Sequence, residues 1–117
     1  MLKIYGIPNC DNVKRARKWF TSRQVEHHFH DFRTDGLTDH LVKNWIFKTG
    51  WEALVNKRSS SWRMLDNATK DRLSDSNIVS ILTEKPTLIK RPVVTYKDQI
   101  IVGFKEDQFG TLLNQLK

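Results

Sequence analysis

The single cysteine, Cys10, is the residue of this sequence best suited to nucleophilic chemistry. It lies between a segment typical of a strand, which Gly6 and Pro8 end, and a helical pattern that begins at Asp11. At the head of a helix, unbonded N–H groups and the positive end of the helix dipole both favour a thiolate. Lys14 adds positive charge one turn further on. We therefore expect a lowered pKa and a catalytic thiol, rather than a buried cysteine that acts as a small apolar side chain.

The sequence excludes a dithiol mechanism within one chain. Val13 stands three residues after Cys10, and the chain has no other cysteine. A mixed disulfide on Cys10 must therefore be resolved by an external thiol, and we expect glutathione as the thiol co-substrate, since its carboxylates suit basic surroundings. We expect no bound cofactor.

Elements at both ends of the chain position this cysteine. Residues 2–6 predict a strand, Asp11 to about Ser22 a helix capped by Asn9 or Asp11, and residues 25–32 a second strand. The connection should be right-handed and its two strands parallel. Near the other end, residues 93–96 and 100–104 predict an antiparallel hairpin, which an amphipathic helix follows.

The middle of the chain has a helical character. Leu37, Leu41, Val42 and Trp45 share one helical face that Gly50 ends, the serine triplet at 59–61 is typical of a loop, and another helix is predicted near 75–85.

The length of 117 residues predicts one domain, and the order of the predicted elements predicts an α/β fold with a four-stranded mixed sheet. Its parts are a β-α-β unit over 1–35, a helical insertion over 36–86 and a β-β-α unit over 87–117. No apolar run approaches the ~18 residues that cross a bilayer, and no signal-peptide pattern is present, so we expect a cytoplasmic protein without a membrane partner.

The net charge of +7 suits anionic partners. The excess is spread along the chain, with 11 basic and 6 acidic residues over 1–58, and 9 and 7 over 59–117. This distribution is more typical of a solvated surface, and we expect no direct binding of nucleic acid. Four histidines, His27, His28, His30 and His40, cluster in sequence, but aromatic residues interrupt them, and we predict no metal site.

Three separated stretches carry a resemblance to a known family. IYGIPNCDNVKRARKW, NKRSSSWRML and LIKRPVV resemble the signatures of the arsenate reductase family, ArsC/Spx/YffB branch, in the same order and over essentially the whole chain. The sequence is most similar to the YffB-like subgroup of glutathione-dependent thiol reductases. The resemblance implies a thioredoxin-like fold with a helical insertion.

The resemblance also implies roles for four residues. Cys10 matches the nucleophile, and Arg58 and Arg91 match two arginines that contact the oxyanion in arsenate reductases. Pro92 matches the cis-proline that faces the cysteine in thioredoxin folds. Two guanidinium groups suit this chemistry because they hold developing negative charge by charge-assisted hydrogen bonds.

Two departures from the family pattern affect the expected substrate. Arsenate reductases have a histidine where this chain has Gly6, and a third arginine where it has Phe104, or Lys105 one place on. A thiol or disulfide substrate needs less oxyanion recognition, so we expect a glutathione-dependent thiol reductase, with weak arsenate reduction left open.

The expected partners are a small anionic or thiol substrate, glutathione and a glutaredoxin. The alternative is an Spx-like transcriptional regulator that binds RNA polymerase. With Val13 in place of a second cysteine, such a regulator would lack the CxxC redox switch.

Overall fold

A computed structural model of the chain describes residues 1–116 and shows two compact units. The first consists of Met1–Asp35 and the described residues from Arg91 onward, and the second of Gly36–Lys90. Residues 87–90, which the sequence predicts as part of the β-β-α unit, group with the helical insertion. That the chain forms a single domain stays a prediction.

The first unit contains a four-stranded mixed sheet in the order β2-β1-β3-β4. Its strands are β1 (Leu2–Gly6), β2 (His27–Asp31), β3 (Val93–Tyr96) and β4 (Gln99–Val102). β1 pairs with β2 in parallel, as predicted, and with β3 in the antiparallel sense. β3 and β4 form the predicted hairpin, in which Tyr96 opposes Gln99.

The helices follow in chain order as α1 (Asp11–Ser22), α2 (Asp39–Thr49), α3 (Trp51–Leu54), α4 (Ser60–Met64), α5 (Asn67–Asp71), α6 (Ile78–Glu84) and α7 (Glu106–Leu116), with a 3-10 turn at Pro86–Leu88. The strand–helix order β-α-β, insertion, β-β-α is the expected thioredoxin-like α/β fold. No helix among residues 1–116 is long and apolar enough to cross a membrane.

The first unit is held together by an apolar core between its sheet and the helices α1 and α7. The rings of Phe20 on α1 and Phe109 on α7 are fully buried, with centroids 5.0 Å apart. The buried members of this cluster are Leu2, Ile4, Ala16, Phe20, Val94, Ile101, Phe109 and Leu112. Val13, Ala16 and Phe20 form the buried stripe of α1 that the sequence predicted.

The second unit packs α2 against α3 and α6. Trp45 on α2 is fully buried, in agreement with its predicted place on an apolar helical face. A bridge between Val55 and Ile89 closes the unit, and the N–H of Lys90 donates to the carbonyl of Leu54 at 2.7 Å.

Three local expectations were wrong. The serine triplet is not a loop, because the Ser59 hydroxyl accepts the N–H of Trp62 at 3.1 Å and thereby caps α4. Leu37 lies outside α2, since the Thr38 side chain caps that helix and starts it at Asp39. The N-cap of α1 is neither Asn9 nor Asp11 but Cys10 itself.

Candidate active site

The N-cap position of α1 places the Cys10 sulfur among the N–H groups of the first helical turn. Cys10 has extended backbone angles (φ −84°, ψ 129°), and its carbonyl accepts the N–H of Lys14 at 3.0 Å. Asn12 and Val13 are then the second and third helical residues, whose N–H groups an N-cap side chain normally accepts. The sulfur does not make a bond of the usual capping geometry, but both N–H groups favour its charged form. The side chain is half-buried.

The pKa of the Cys10 thiol lies below its ordinary value. Burial of the sulfur is the largest single influence and raises the pKa, because it penalises the charged form. The N–H of Val13, the guanidinium of Arg91 through both a hydrogen bond and its charge, and the N–H of Asn12 together outweigh it. The expected thiolate character therefore comes from the helix start and from one arginine.

The sheet brings Arg91 to this cysteine. Tyr5, near the end of β1, pairs with Val93 at the start of β3, so the end of β1 and the beginning of β3 lie at the same edge. Cys10 follows the end of β1 and Arg91 precedes β3, and their side chains interact. Two residues that lie 81 positions apart in sequence therefore form one site.

Pro92 is buried at the same edge of the sheet. The Arg91–Pro92 peptide bond is cis, as the family resemblance implies. The carbonyl of Pro92 accepts the N–H of Gly103 at 2.8 Å, which ties it to the residue after β4.

Arg58 belongs to the second unit, where it is exposed. Its backbone N–H donates to Oδ1 of Asn56 at 3.0 Å, in a turn that precedes α4. It lines an open cleft of about 540 Å³ in that unit together with Glu52, Val55, Asn56, Lys57 and Lys90. The cleft is rich in cations, as an anion-binding role would require.

The two departures from the arsenate reductase pattern have different surroundings. A Cβ added to the buried Gly6 would lie 2.5 Å from Cγ2 of Val13, so a side chain at this position requires Val13 to move. Phe104 packs edge-on against Phe109, with ring centroids 5.6 Å apart, and the guanidinium of Arg15 lies 4.5 Å from the centre of the Phe104 ring. Lys105 is exposed.

The histidines do not converge on one point. His30 packs against Tyr5 with ring centroids 4.8 Å apart, and His27 packs against Phe20. Over residues 1–116, no group of three or more His, Cys, Asp or Glu side chains is placed to hold a metal ion.

The sequence predicted that N–H groups of the first helical turn favour the thiolate, but it did not identify Asn12 and Val13 as the residues that supply them. It treated Val13 only as the residue that replaces a second cysteine, although the hydrogen bond from the Val13 N–H is the largest single contribution that lowers the pKa of Cys10. Taking Cys10 as the N-cap would have identified both N–H groups, since they follow from its position.

The chain combines a thioredoxin-like fold with a half-buried cysteine of lowered pKa at the start of its first helix. The ArsC family matches residues 5–112, and the chain belongs to this family.

Known relatives cover nearly the whole chain. An uncharacterized protein of Haemophilus influenzae is 43% identical over 93% of this chain and 96% of its own length. The global transcriptional regulator Spx 1 of Lactococcus lactis is 29% identical over 97% of this chain and 89% of its own length. A solved structure of a YffB protein superimposes with a TM-score of 0.91 at 32% identity and covers 95% of this chain and 97% of the other.

Proposed function

We propose that this chain is a thiol-dependent reductase of the ArsC family that uses Cys10 as its nucleophile and glutathione as its thiol co-substrate. The lowered pKa of Cys10 beside Arg91 carries this proposal. A thiol that is ionised near neutral pH reacts with disulfides and small electrophiles, whereas a neutral thiol does so slowly. A reducing cytoplasmic glutathione pool is the setting that this chemistry requires.

The reaction proceeds in two thiol–disulfide exchanges. The Cys10 thiolate attacks the glutathione sulfur of a mixed disulfide, forms a Cys10–glutathione disulfide and releases the substrate as a thiolate, which takes a proton from water. A second glutathione thiolate then attacks the glutathione sulfur on Cys10, releasing glutathione disulfide and the Cys10 thiolate. Over the two exchanges, the glutathionyl group of the mixed disulfide and one added glutathione leave together as glutathione disulfide, and the substrate leaves as a free thiol. A glutaredoxin thiol replaces the second glutathione in the variant of this scheme that uses a protein partner.

The arginines stabilise charge in both steps. Arg91 favours the attacking Cys10 thiolate in the first exchange. In the second exchange the Cys10 sulfur is itself the leaving group, and Arg91 stabilises the negative charge that returns to it. In this proposal Arg58 supplies a second guanidinium for the anionic end of the substrate. Pro92, which is buried and follows Arg91 directly, has a structural role in the proposal.

Steady-state kinetics with the cysteine–glutathione mixed disulfide test the proposal. We expect Cys10→Ser to lose at least about 100-fold in glutathione-dependent turnover, because the nucleophile is removed. Arg58→Ala should raise KM several-fold, while Arg63→Ala, an exposed arginine on α4, should not. Unchanged turnover in a folded Cys10→Ser protein would contradict the proposal.

The similarity to a global transcriptional regulator supports a second candidate function, a regulator that binds RNA polymerase. Because Val13 stands three residues after Cys10, this regulator would work without an internal disulfide switch. Co-purification with isolated RNA polymerase tests it, and we expect Cys10→Ser to bind as well as the native protein. If no polymerase subunit is recovered, this candidate is wrong.

A further inference from the structure

Gly6 and Val13 are packed closely against each other at the base of the candidate site. Gly6 ends β1 and is buried, and Val13 is the third residue of α1 and is fully buried. An added Cβ at position 6 would meet Cγ2 of Val13 at 2.5 Å, and the next two Val13 atoms at 3.6 and 3.7 Å. Carbon atoms pack at about 3.5–4.0 Å, so any side chain at position 6 would have to displace Val13 by about 1 Å.

The side chain of Val13 has little freedom to move away from a side chain at position 6. A β-branched residue in a helix is largely restricted to one χ1 rotamer, and burial leaves Val13 no solvent space to enter. The displacement would therefore move the backbone of the first turn of α1. Its neighbour in that turn is the N-cap residue Cys10, whose sulfur the Val13 N–H favours in charged form.

We propose that Gly6 is a positioning residue for Cys10. Because Gly6 has no side chain, Val13 can pack closely against β1, and this packing fixes the first turn of α1 with the Val13 N–H directed at the Cys10 sulfur. The N–H that favours the thiolate belongs to the backbone, so the side chain of residue 13 affects the site only through its volume. Because hydrogen bonds weaken steeply with distance and angle, a shift of about 1 Å at Val13 is enough to reduce this support. The consequence for turnover rests on the proposed reductase function, but the effect on the thiol does not.

The test is the pH dependence of Cys10 alkylation by iodoacetamide in the full chain. We expect Gly6→Ala to move the midpoint to higher pH and to slow alkylation at pH 6 at least about threefold. The double variant Gly6→Ala/Val13→Ala removes the clashing methyl groups and should restore most of the lost rate. Gly110→Ala is the matched control, since a Cβ at this glycine in α7 meets nothing within 4 Å, and we expect no change.

Two results would overturn the proposal. One is a native midpoint in Gly6→Ala, and the other is a raised midpoint that Val13→Ala does not restore. If Gly6→Ala fails to fold, the double variant still tests the pair, because it must fold and show a near-native midpoint. The measured quantity is the alkylation of Cys10 and not reductase activity. The experiment can therefore support or overturn the role of Gly6 even if the chain is not a reductase.

Discussion

At the scale of single residues, Arg91 is the side chain that adds positive charge directly at Cys10. It lowers the pKa of the thiol through a hydrogen bond and through its charge. We expect Arg91→Gln to raise that pKa and to slow alkylation of Cys10 at pH 6 by about 3- to 10-fold, because a hydrogen bond to a charged group is lost.

The control for this prediction is Arg33→Gln, which removes an exposed arginine that is not among the groups acting on Cys10. Its alkylation profile should match that of the native chain. An Arg91→Gln profile that also matches it would show that the helix start alone ionises the thiol.

Ionisation of Cys10 also makes stability depend on pH. The pKa of the thiol is lower in the folded chain than the value of about 8.5 expected when unfolded. The folded chain then binds fewer protons, so this contribution is fully present above the unfolded pKa and is lost as pH falls through the folded pKa. Urea unfolding of the native chain and Cys10→Ser from pH 6 to pH 9 should show a free-energy difference that shifts in favour of the native chain as pH rises. A difference that is constant with pH would contradict the lowered pKa.

At the scale of elements, the sequence predicted most reliably where periodicity was long or a turn was well marked. The stripe of Val13, Ala16 and Phe20 defined α1, and the polar turn after Tyr96 defined the β3–β4 hairpin. The start of α1 at Asp11 was predicted correctly, but its N-cap, Cys10, was missed because Asn9 and Asp11 are the better capping residues by composition. The close contact between Gly6 and Val13 was invisible for another reason, since it joins two elements and depends on their packing distance.

The second unit shows how a single cap overrides composition. Ser59 donates to the Asn56 carbonyl at 2.8 Å and accepts the Trp62 N–H, which converts a serine-rich segment into the helix α4. We expect Ser59→Ala to lower the free energy of unfolding by about 1 kcal/mol, as for other N-cap serines. Ser60→Ala, at the exposed first residue of α4, should cost less than about 0.5 kcal/mol. Chemical denaturation measures both, and equal losses would mean that the Ser59 cap does not stabilise α4.

At the scale of the whole molecule, the order of the strands in the sheet explains how two residues far apart in sequence come to interact at the thiol. The β-α-β unit supplies Cys10 at the end of β1, and the β-β-α unit supplies Arg91 at the start of β3. Both meet because β1 is the partner of β3 in the sheet. From the sequence, the contact between Cys10 and Arg91 could be predicted only through the family resemblance, because residue spacing alone does not indicate which strands pair.

The charge of the whole chain acts at longer range and leads to a separate prediction. With a net charge of +7, the chain should attract anionic disulfides, and this attraction should weaken as salt shortens the Debye length to ~8 Å at physiological ionic strength. We expect the reaction of Cys10 with dianionic dithiobis-nitrobenzoate to slow several-fold, about 3- to 10-fold, between low and high salt. Reaction with the neutral dipyridyl disulfide should change less than about twofold, because only the charged reagent is steered.

Stopped-flow absorbance measures both rates, and the Arg91→Gln variant shows how much of the salt effect comes from the charge beside Cys10. Equal salt dependence of the two reagents would mean that the positive charge contributes to solubility and not to substrate attraction.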